Sequence, residues 1–504
     1  MKKIFTLLFA TFSTLLVAQT VNIQGGSAYP DINTAILAAT DGDVILVTGV
    51  HTESISIDKS ITIRGTNPIT DIIQAASSAS TTGTGSRVIN IGAASAASLN
   101  VTIENMTIRN GNFNANGGGI NVDKVIGLVT LKNLIIANNF TSTNGGGVSF
   151  AGSNVNMLNC TIQNNTSSLD GGGIIAAPNN ASGVSSIINI NQSIINANTS
   201  RNGGGIYING NNGFGNNYKI DVNIENATLS NNTTTSAASG NGGGAIFTAV
   251  AYWTTNAGGD GVTGNISLRL IHATVFNNSH AAPLRAGIRF AGVAGALTNF
   301  SVYNSIVVAN NDLNIKALNF QNANTTNVVN CILGGLENAP LTIVDDVTKN
   351  NQKGKTATQS GLTGTLSNLG GSTSVLDITS GSAADDFCSA ITGVAIPSVD
   401  QRNYAREGVN DAGAFEFGAT LSLNDFTSEK TADVRIYPNP TSNILFIKSE
   451  NSISKVSIYD NSGRQVLQTN SFKEGIDVSK FSNGVHLVVI EIMGKKVVKS
   501  IVIN

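Results

Sequence analysis

The residues best suited to bond cleavage in this chain are two adjacent carboxylate pairs, Asp345-Asp346 and Asp385-Asp386. Glycosidic cleavage needs two carboxylates, one as acid and one as base or nucleophile. Both pairs lie beyond the clear repeats set out below. A calcium-assisted lyase would instead need clustered carboxylates and a Lys or Arg base. The candidates Asp170, Arg201, Asp260, Arg269, Arg285 and Arg289 are isolated on different repeats. Arg285 and Arg289 lie near one repeat, but two residues do not make a site. His51, His272, His280 and His486 are scattered, and Cys160, Cys331 and Cys388 lack metal-ligand spacing. The expectation is no catalytic set, no metal and no cofactor.

Five glycine triplets, starting at Gly117, Gly145, Gly171, Gly203 and Gly242, invite comparison with phosphate-binding loops. No helix pattern follows them and no Lys-Ser/Thr closes them, so they read as corner glycines before a strand. One stretch is placed for recognition. The longest insertion, between Ala245 and Leu268, carries Tyr252, Trp253 (the only tryptophan) and Gly258-Gly259-Asp260. A flat aromatic on a loop suits sugar stacking, which makes Tyr252, Trp253 and Asp260 the ligand candidates. The plainer reading packs these aromatics onto the side of the repeat.

A repeat positions these residues. An Asn-centred motif recurs at Asn105, Asn133, Asn159, Gln192, Asn226, His272, Asn304 and Asn330, at intervals of 26 to 46 residues. Two and four residues earlier the positions are apolar, as at Ile103 and Val101, with Thr326 the one exception. That is the period of a strand with one buried face. After the Asn the parity flips, to Ile108, Ile136, Ile162 and Ile195 three residues on and to small residues such as Cys160 and Cys331 one residue on. A strand that changes phase at one residue has turned a corner there, with that residue near the left-handed region. Inward parity predicts that the eight side chains stack as a buried ladder, His272 on the same rung as the asparagines. A third strand begins at each triplet, with pairs such as Ile120 and Val122, and Ala245 and Phe247, facing inward. The clusters Asn138-Asn139, Asn164-Asn165, Asn231-Asn232 and Asn277-Asn278 are expected in loops after the third-strand corner.

Three short strands per coil, stacked in parallel at ~4.8 Å per coil, resemble the right-handed parallel β-helix of the pectate lyase family. The resemblance covers roughly Val21 to Phe417 and implies an all-β fold, a right-handed single-stranded parallel β-helix over residues 20–420. Asp31 to Ala39 places Ile32, Ala35, Ile36 and Ala39 at helical spacing behind Asp31 as N-cap, a short helix that would cover the open first coil. The end of this region, about 360–418, resembles the choice-of-anchor Q module. The resemblance rests on Asn368-Leu369-Gly370-Gly371, Ser382-Ala383-Ala384-Asp385, Asp400-Gln401-Arg402 with Arg406, and Asp411-Ala412-Gly413-Ala414-Phe415-Glu416. Asn403 stands where a glycine is expected. Such modules close β-helices in surface proteins.

After a polar linker, 421–433, the pattern changes. Tyr437, Pro438, Asn439 and Pro440 open a segment of about seven short strands, Asp460 to Gly463 marks a hairpin turn, and Gly484 follows an Asn. Residues 434–504 thus resemble the type A sorting domain of type IX secretion, a small β-sandwich, with His486 where an aromatic is usual. Lys2 and Lys3 precede an apolar run from Ile4 to Val17, too short to span a bilayer, and residues 1–19 read as a signal peptide. The implied partners are the Sec and type IX secretion machinery, and the implied destination is the cell surface or the medium. No transmembrane segment is expected in the mature chain. Charged residues are only 12%, glycines number 54 and net charge is −2 with no basic block, which suits a turn-dense β protein and argues against nucleic acid. Two functional readings follow. One is a non-catalytic β-helix that binds polysaccharide or adheres to a cell surface. The other is a polysaccharide lyase or glycoside hydrolase of the pectate-lyase-like class.

Overall fold

The computed structural model describes residues 19–503 apart from 93–97, 179–184, 211–218, 237–241, 250–264, 282–286, 292–296, 311–315, 322–324, 338–348, 420–433, 450–452, 461–464, 471–474 and 493–494. The expected signal peptide falls almost wholly outside the described residues. Two compact units result, Met1–Thr420 and Leu421–Asn504.

The first unit is a right-handed parallel β-helix. First and second strands of successive coils join in one 20-stranded sheet, and third strands form a 10-stranded sheet from Ile55–Ile57 to Gly335–Glu337. The apolar positions read from sequence become columns. Val101, Val129, Val155, Ile188, Val222, Leu268 and Phe300 are in register from coil to coil. None is more than 1% exposed. Such stacking removes each strand's apolar face from water without any long-range packing, because each coil needs only its neighbours. The entry helix, Ile32–Ala38, is capped by Asp31, which accepts from Thr34 N at 2.7 Å. Lys59 Nζ donates to the carbonyls of Ile36, Leu37 and Ala39, satisfying the helix C-terminus.

Corners differ from the expectation in an instructive way. The eight Asn-motif residues all have positive φ, between +48° and +59°, so the left-handed corner is present. The buried ladder is not continuous there. Asn226, His272, Asn304 and Asn330 are buried, whereas Asn105, Asn133, Asn159 and Gln192 are half-exposed. Asn133 bonds Asn105, and Asn330 bonds Asn304, but Gln192 turns to Asn403 Oδ1 instead. The continuous buried ladder lies at the next corner, in the very clusters expected as loops. Asn110, Asn138, Asn164, Ala197, Asn231, Asn277 and Ala309 take positive φ there. The following residues Asn139, Asn165, Asn198, Asn232, Asn278 and Asn310 are at most 1% exposed. From Asn139 to Asn278 each side-chain amide donates to the next coil's Oδ1 at 2.9–3.0 Å, and each backbone N–H donates to the same oxygen. The clusters follow the second strand, and two-residue strands such as Phe140–Thr141 and Thr166–Ser167 then form a short extra parallel sheet before the glycines.

The triplets turn that final corner: Gly117, Gly145, Gly171 and Gly203 have φ between +59° and +75°. At Gly145 an added Cβ would lie 2.6 Å from the Val148 carbonyl oxygen, so glycine is required on both counts. The fifth triplet is offset by one. Ile206 pairs with Ile246, so Ile246 and Thr248 face inward, and Phe247 faces out; the expected phase of Ala245 and Phe247 is wrong. An extra glycine, Gly242, precedes the left-handed Gly243, and a slip of one residue exchanges the faces.

Residues 357–417 fold back along the second strands and close the stack. A capped turn of helix, Ala357–Ser360, and the hairpin Leu362–Ser367 with Val375–Ile378 pack Leu362, Val375, Leu376 and Ile378 against the outward Ile306, Val308 and Ile332. Polar contacts then run from coil to coil: Thr373 Oγ1 to Gln192 O, Thr228 Oγ1 to Gln401 Oε1, Ala414 N to Thr274 Oγ1, and Gly413 N to Asn304 O. Asn403, the departure from glycine, sits at φ +71°, a conformation asparagine tolerates. Buried ions hold this segment. Asp400 accepts from Arg402 Nη2 at 2.6 Å, and Arg406 Nη1 donates to Glu416 at 2.7 Å while its Nη2 reaches Asn226 Oδ1 at 3.1 Å. Asp385 and Asp386 belong here too, since Asp386 N donates to Asp411 and Asp385 accepts from Gly381 N. Burial pushes the Glu416 carboxyl up to about 7 and the Asp411 carboxyl up to about 6.

The second unit holds a three-stranded sheet, Arg435–Tyr437, Ile444–Lys448 and Ile476–Asp477, and a four-stranded one, Gln465–Thr469, Ile453–Tyr459, Gly484–Ile492 and Lys495–Ile503. Leu445, Val456, Ile458, Val488, Ile490 and Ile501 fill its core.

Two expected outcomes follow. Asn165→Leu leaves the buried Asn139 N–H without its acceptor and takes one bond each from the Asn139 side-chain amide, the Ile136 carbonyl and Asn198 Oδ1, the last of which keeps the backbone N–H of residue 165. With ~1–3 kcal/mol for the orphaned N–H and ~0.5–1.5 kcal/mol for each of the other three bonds, the loss is at least ~2.5 kcal/mol. Asn159→Leu, at a half-exposed corner, should cost clearly less in the same denaturant titration. Equal costs would place the structural ladder at the first corner. The second outcome concerns pH. Folding raises the affinity of Glu416 and Asp411 for protons, so their stabilising effect is complete below about pH 4 and is lost as pH rises through about 6 and 7. Buried neutral His272 acts oppositely, lowering stability as pH falls below its ordinary 6.5. Comparison of Glu416→Gln with the unmodified chain isolates the first effect. The stability of the unmodified chain relative to the variant should decline from pH 5 to pH 8, and a constant difference would contradict it.

Candidate functional site

The outward face of the third-strand sheet changes character along the stack. Register places Asn90, Asn121, Ser149, Ile175, Tyr207, Phe247 and Arg289 in one column. Their neighbours in sequence fill the interior, so these side chains point away from it. The first of them are polar, and Asn121 Nδ2 donates to Asn90 Oδ1 at 3.0 Å. From Ile175 to Phe247 the column is apolar and aromatic. Tyr207 and Phe247 stack with ring centroids 5.5 Å apart and planes 5° from parallel. The Arg289 guanidinium lies 5.1 Å from the Phe247 centroid, a cation–π contact. Despite facing outward, Tyr207 is only 8% exposed and Phe247 only 5%. With Ile175 they form a small core of their own, edged by Ala177 and Ala249.

The same strands lead into long connections. The third strands end at Ala177, Asn209 and Ala249, and the next first strands begin at Ser186, Lys219 and Asn265, whereas Ala151 connects to Asn154 at once. Tyr252, Trp253 and Asp260 belong to the longest of these connections and lie outside the described residues, as do Arg285, Asp345 and Asp346. What the described residues give is the aromatic stack at the base of that connection. Sequence reading missed it because the one-residue offset after Gly242 turned Phe247 inward on paper.

Asp170 and Arg201 are not isolated. They stand one coil apart, and Arg201 grips Asp170 through Nε at 3.1 Å and Nη2 at 2.9 Å, while Asn202 Nδ2 donates to the same carboxylate at 2.9 Å. The hydrogen bond to Asp170 raises the Arg201 pKa. Burial, helped by the Asp170 charge, pushes the Tyr207 phenol up as well. Sequence separation of about one coil, with an insertion between, hid the pairing. Other carboxylates of the coil faces are also engaged: Glu104 with Arg64, Asp221 with Lys219 at 2.8 Å, and Glu225 with Arg269 at 3.7 Å. Glu416 and Asp411 titrate in the range useful to an acid–base pair, yet they are 3% and 2% exposed and hold the return segment. Among the described residues no group of three or more His, Cys, Asp or Glu side chains is arranged to hold a metal ion. The three cysteines are buried and free, and burial pushes the Cys160 and Cys331 thiols up to about 12, so they are inert.

In the second unit the Tyr437-Pro438-Asn439-Pro440 turn is tied to the last strand. Asn439 Nδ2 donates to Ser500 O at 3.0 Å, Val502 N donates to Asn439 Oδ1 at 2.8 Å, and Thr441 N donates to Val502 O at 2.9 Å. The Asn439 amide thus occupies part of a strand edge that would otherwise be open. Asp460 is buried, Gly484 takes φ +128°, and Gly463 lies outside the described residues. His486 is 2% exposed and stacks on Phe481 at 5.9 Å, filling the aromatic's place.

Residues 435–504 match the family model of the secretion system C-terminal sorting domain. No curated protein matches the chain. A solved structure similar to it is that of tailspike protein gp49 from Acinetobacter baumannii bacteriophage Fri1, a capsular polysaccharide depolymerase. Identity is 10% and the TM-score 0.25, over 94% of this chain and 75% of that one. No helix among the described residues is long and apolar enough to cross a membrane. The chain is a parallel β-helix joined to a type IX secretion sorting domain, and its destination is the cell surface or the extracellular medium.

Proposed function

We propose that the exported β-helix binds polysaccharide or cell-surface glycan without cleaving it, through the connections that leave the third-strand sheet beside Ile175, Tyr207 and Phe247. The observation that carries this reading is the switch of the outward column from amides to a stacked, buried aromatic pair whose second ring, Phe247, stands at the base of the longest of these connections. An outward aromatic core anchors long segments to a rigid stack, which is how recognition elements are held without distorting a scaffold. Tyr252, Trp253 and Asp260 fall in the longest of them, and a tryptophan there offers a sugar face a flat partner. Engagement of Asp170 by Arg201 and Asn202 favours binding over the alternative of a polysaccharide lyase or glycoside hydrolase, whose acid or base must be free to move a proton. Residues 360–418 then serve as a choice-of-anchor Q-like closing module for a surface-displayed stack.

The test combines a glycan array with assays for reducing ends and unsaturated products on the exported protein. Retention of a glycan without product is expected, with loss of at least tenfold in affinity in Trp253→Ala at an unchanged thermal midpoint. Product release would establish the enzyme reading. A lowered midpoint with affinity unchanged per folded molecule would remove Trp253 from the binding site.

A further inference from the structure

The sorting domain exposes more apolar surface than its size explains. Of the fourteen large hydrophobic side chains most exposed among the described residues, six belong to this unit. They fall on two opposite faces. On the three-stranded sheet, Tyr437 and Phe446 are cross-strand partners whose rings stack at 5.8 Å and 23°, and Ile444 lies two residues from Phe446 on the same side. Their exposures are 49%, 36% and 45%. On the four-stranded sheet, Val485, Leu487 and Val502 are exposed, Val485 directly opposite Val502.

We infer that the Tyr437–Phe446–Ile444 face is the surface by which the secretion machinery holds this domain, its occupant being an apolar, aromatic-accepting groove of that machinery. This rests on the sorting-domain match, which supplies the occupant: a unit whose role is to be recognised must present the recognised surface. Two features select this face over the other. Its two aromatic rings are already stacked, so little side-chain freedom is lost on docking, and aromatics dominate the energetics of interfaces. Gly475, at φ +90°, lies against it. A Cβ there would come within 2.4 Å of Ile444 Cγ2 and 2.9 Å of Phe446 Cε1, so the patch is kept bare by a residue that tolerates no side chain. The opposite face has aliphatic side chains only.

The experiment is export of the full chain from a bacterium with type IX secretion, comparing surface-plus-medium protein with periplasmic protein. Deletion of residues 434–504 sets the value for no sorting; export of that truncated chain would overturn the sorting reading itself, apart from the assignment of a face. Tyr437→Ser with Phe446→Ser should reduce export at least tenfold, toward the truncated value, while the purified protein keeps its unfolding transitions. Val485→Ser with Leu487→Ser should be exported normally, and Tyr437→Phe, which keeps the ring, should be too. If the double serine variant does not fold, Ile444→Lys replaces it. Normal export of a folded Tyr437/Phe446 variant or of Ile444→Lys overturns the inference. Equal loss from the two faces overturns it as well, because recognition would then not belong to this surface.

Discussion

The amide column from Asn139 to Asn310 is the interaction on which the first unit depends. A chain that turns a sharp corner leaves backbone groups pointing into a space too narrow for water, and those groups must find partners. From Asn165 to Asn278 each asparagine accepts from the preceding coil's backbone and side chain and donates to the following coil's oxygen, so one residue type satisfies the corner and joins two coils. The residue before it takes the left-handed conformation, where Asn is tolerated at lower cost than most residues. Since the bond is made coil to coil, insertions of any length elsewhere leave it unchanged. That explains how motifs 26 to 46 residues apart still stack in register.

Much of this was legible. Period-two apolar spacing on each side of Asn105 and its equivalents located two strands and the corner between them, and all eight corner residues have positive φ. The entry helix with its Asp31 cap and the glycine corners were legible for the same reason: local backbone demands select residue types directly. Which corner carries the continuous ladder was not. Asn138-Asn139 and its relatives follow the last apolar position of the second strand, where periodicity stops informing, and paired asparagines resemble any polar loop. Only the spatial alignment of Asn165 over Asn198 distinguishes a buried rung from a surface amide. The return of residues 357–417 was likewise invisible as a path, although its buried ion pairs coincide with the Asp400, Arg402, Arg406, Asp411 and Glu416 pattern that the sequence offers.

The candidate site shows the same limit more sharply. Tyr207 and Phe247 are 40 positions apart, and their stacking depends on a register set by insertions whose lengths differ in every coil. One added glycine was enough to invert Phe247. Asp170 and Arg201, separate as letters, are a bonded pair because the coil closes between them. Function is thus divided among parts with different physical constraints. The amide column and aliphatic columns fix the stack, the outward aromatic core fixes the bases of the long connections, and a separate small sandwich carries the export address.

Hydrogen–deuterium exchange resolved to single amides tests the central claim most directly. Because the N–H groups of Asn139, Asn165, Asn198, Asn232 and Asn278 donate to buried Oδ1 atoms of the next coil, they should exchange as slowly as the strand amides of Ile136 and Ile162. They should open only when the whole stack opens. Rapid exchange at these five positions, with the strand amides still protected, would show that the corner amides are solvated and that something other than this column holds the coils in register.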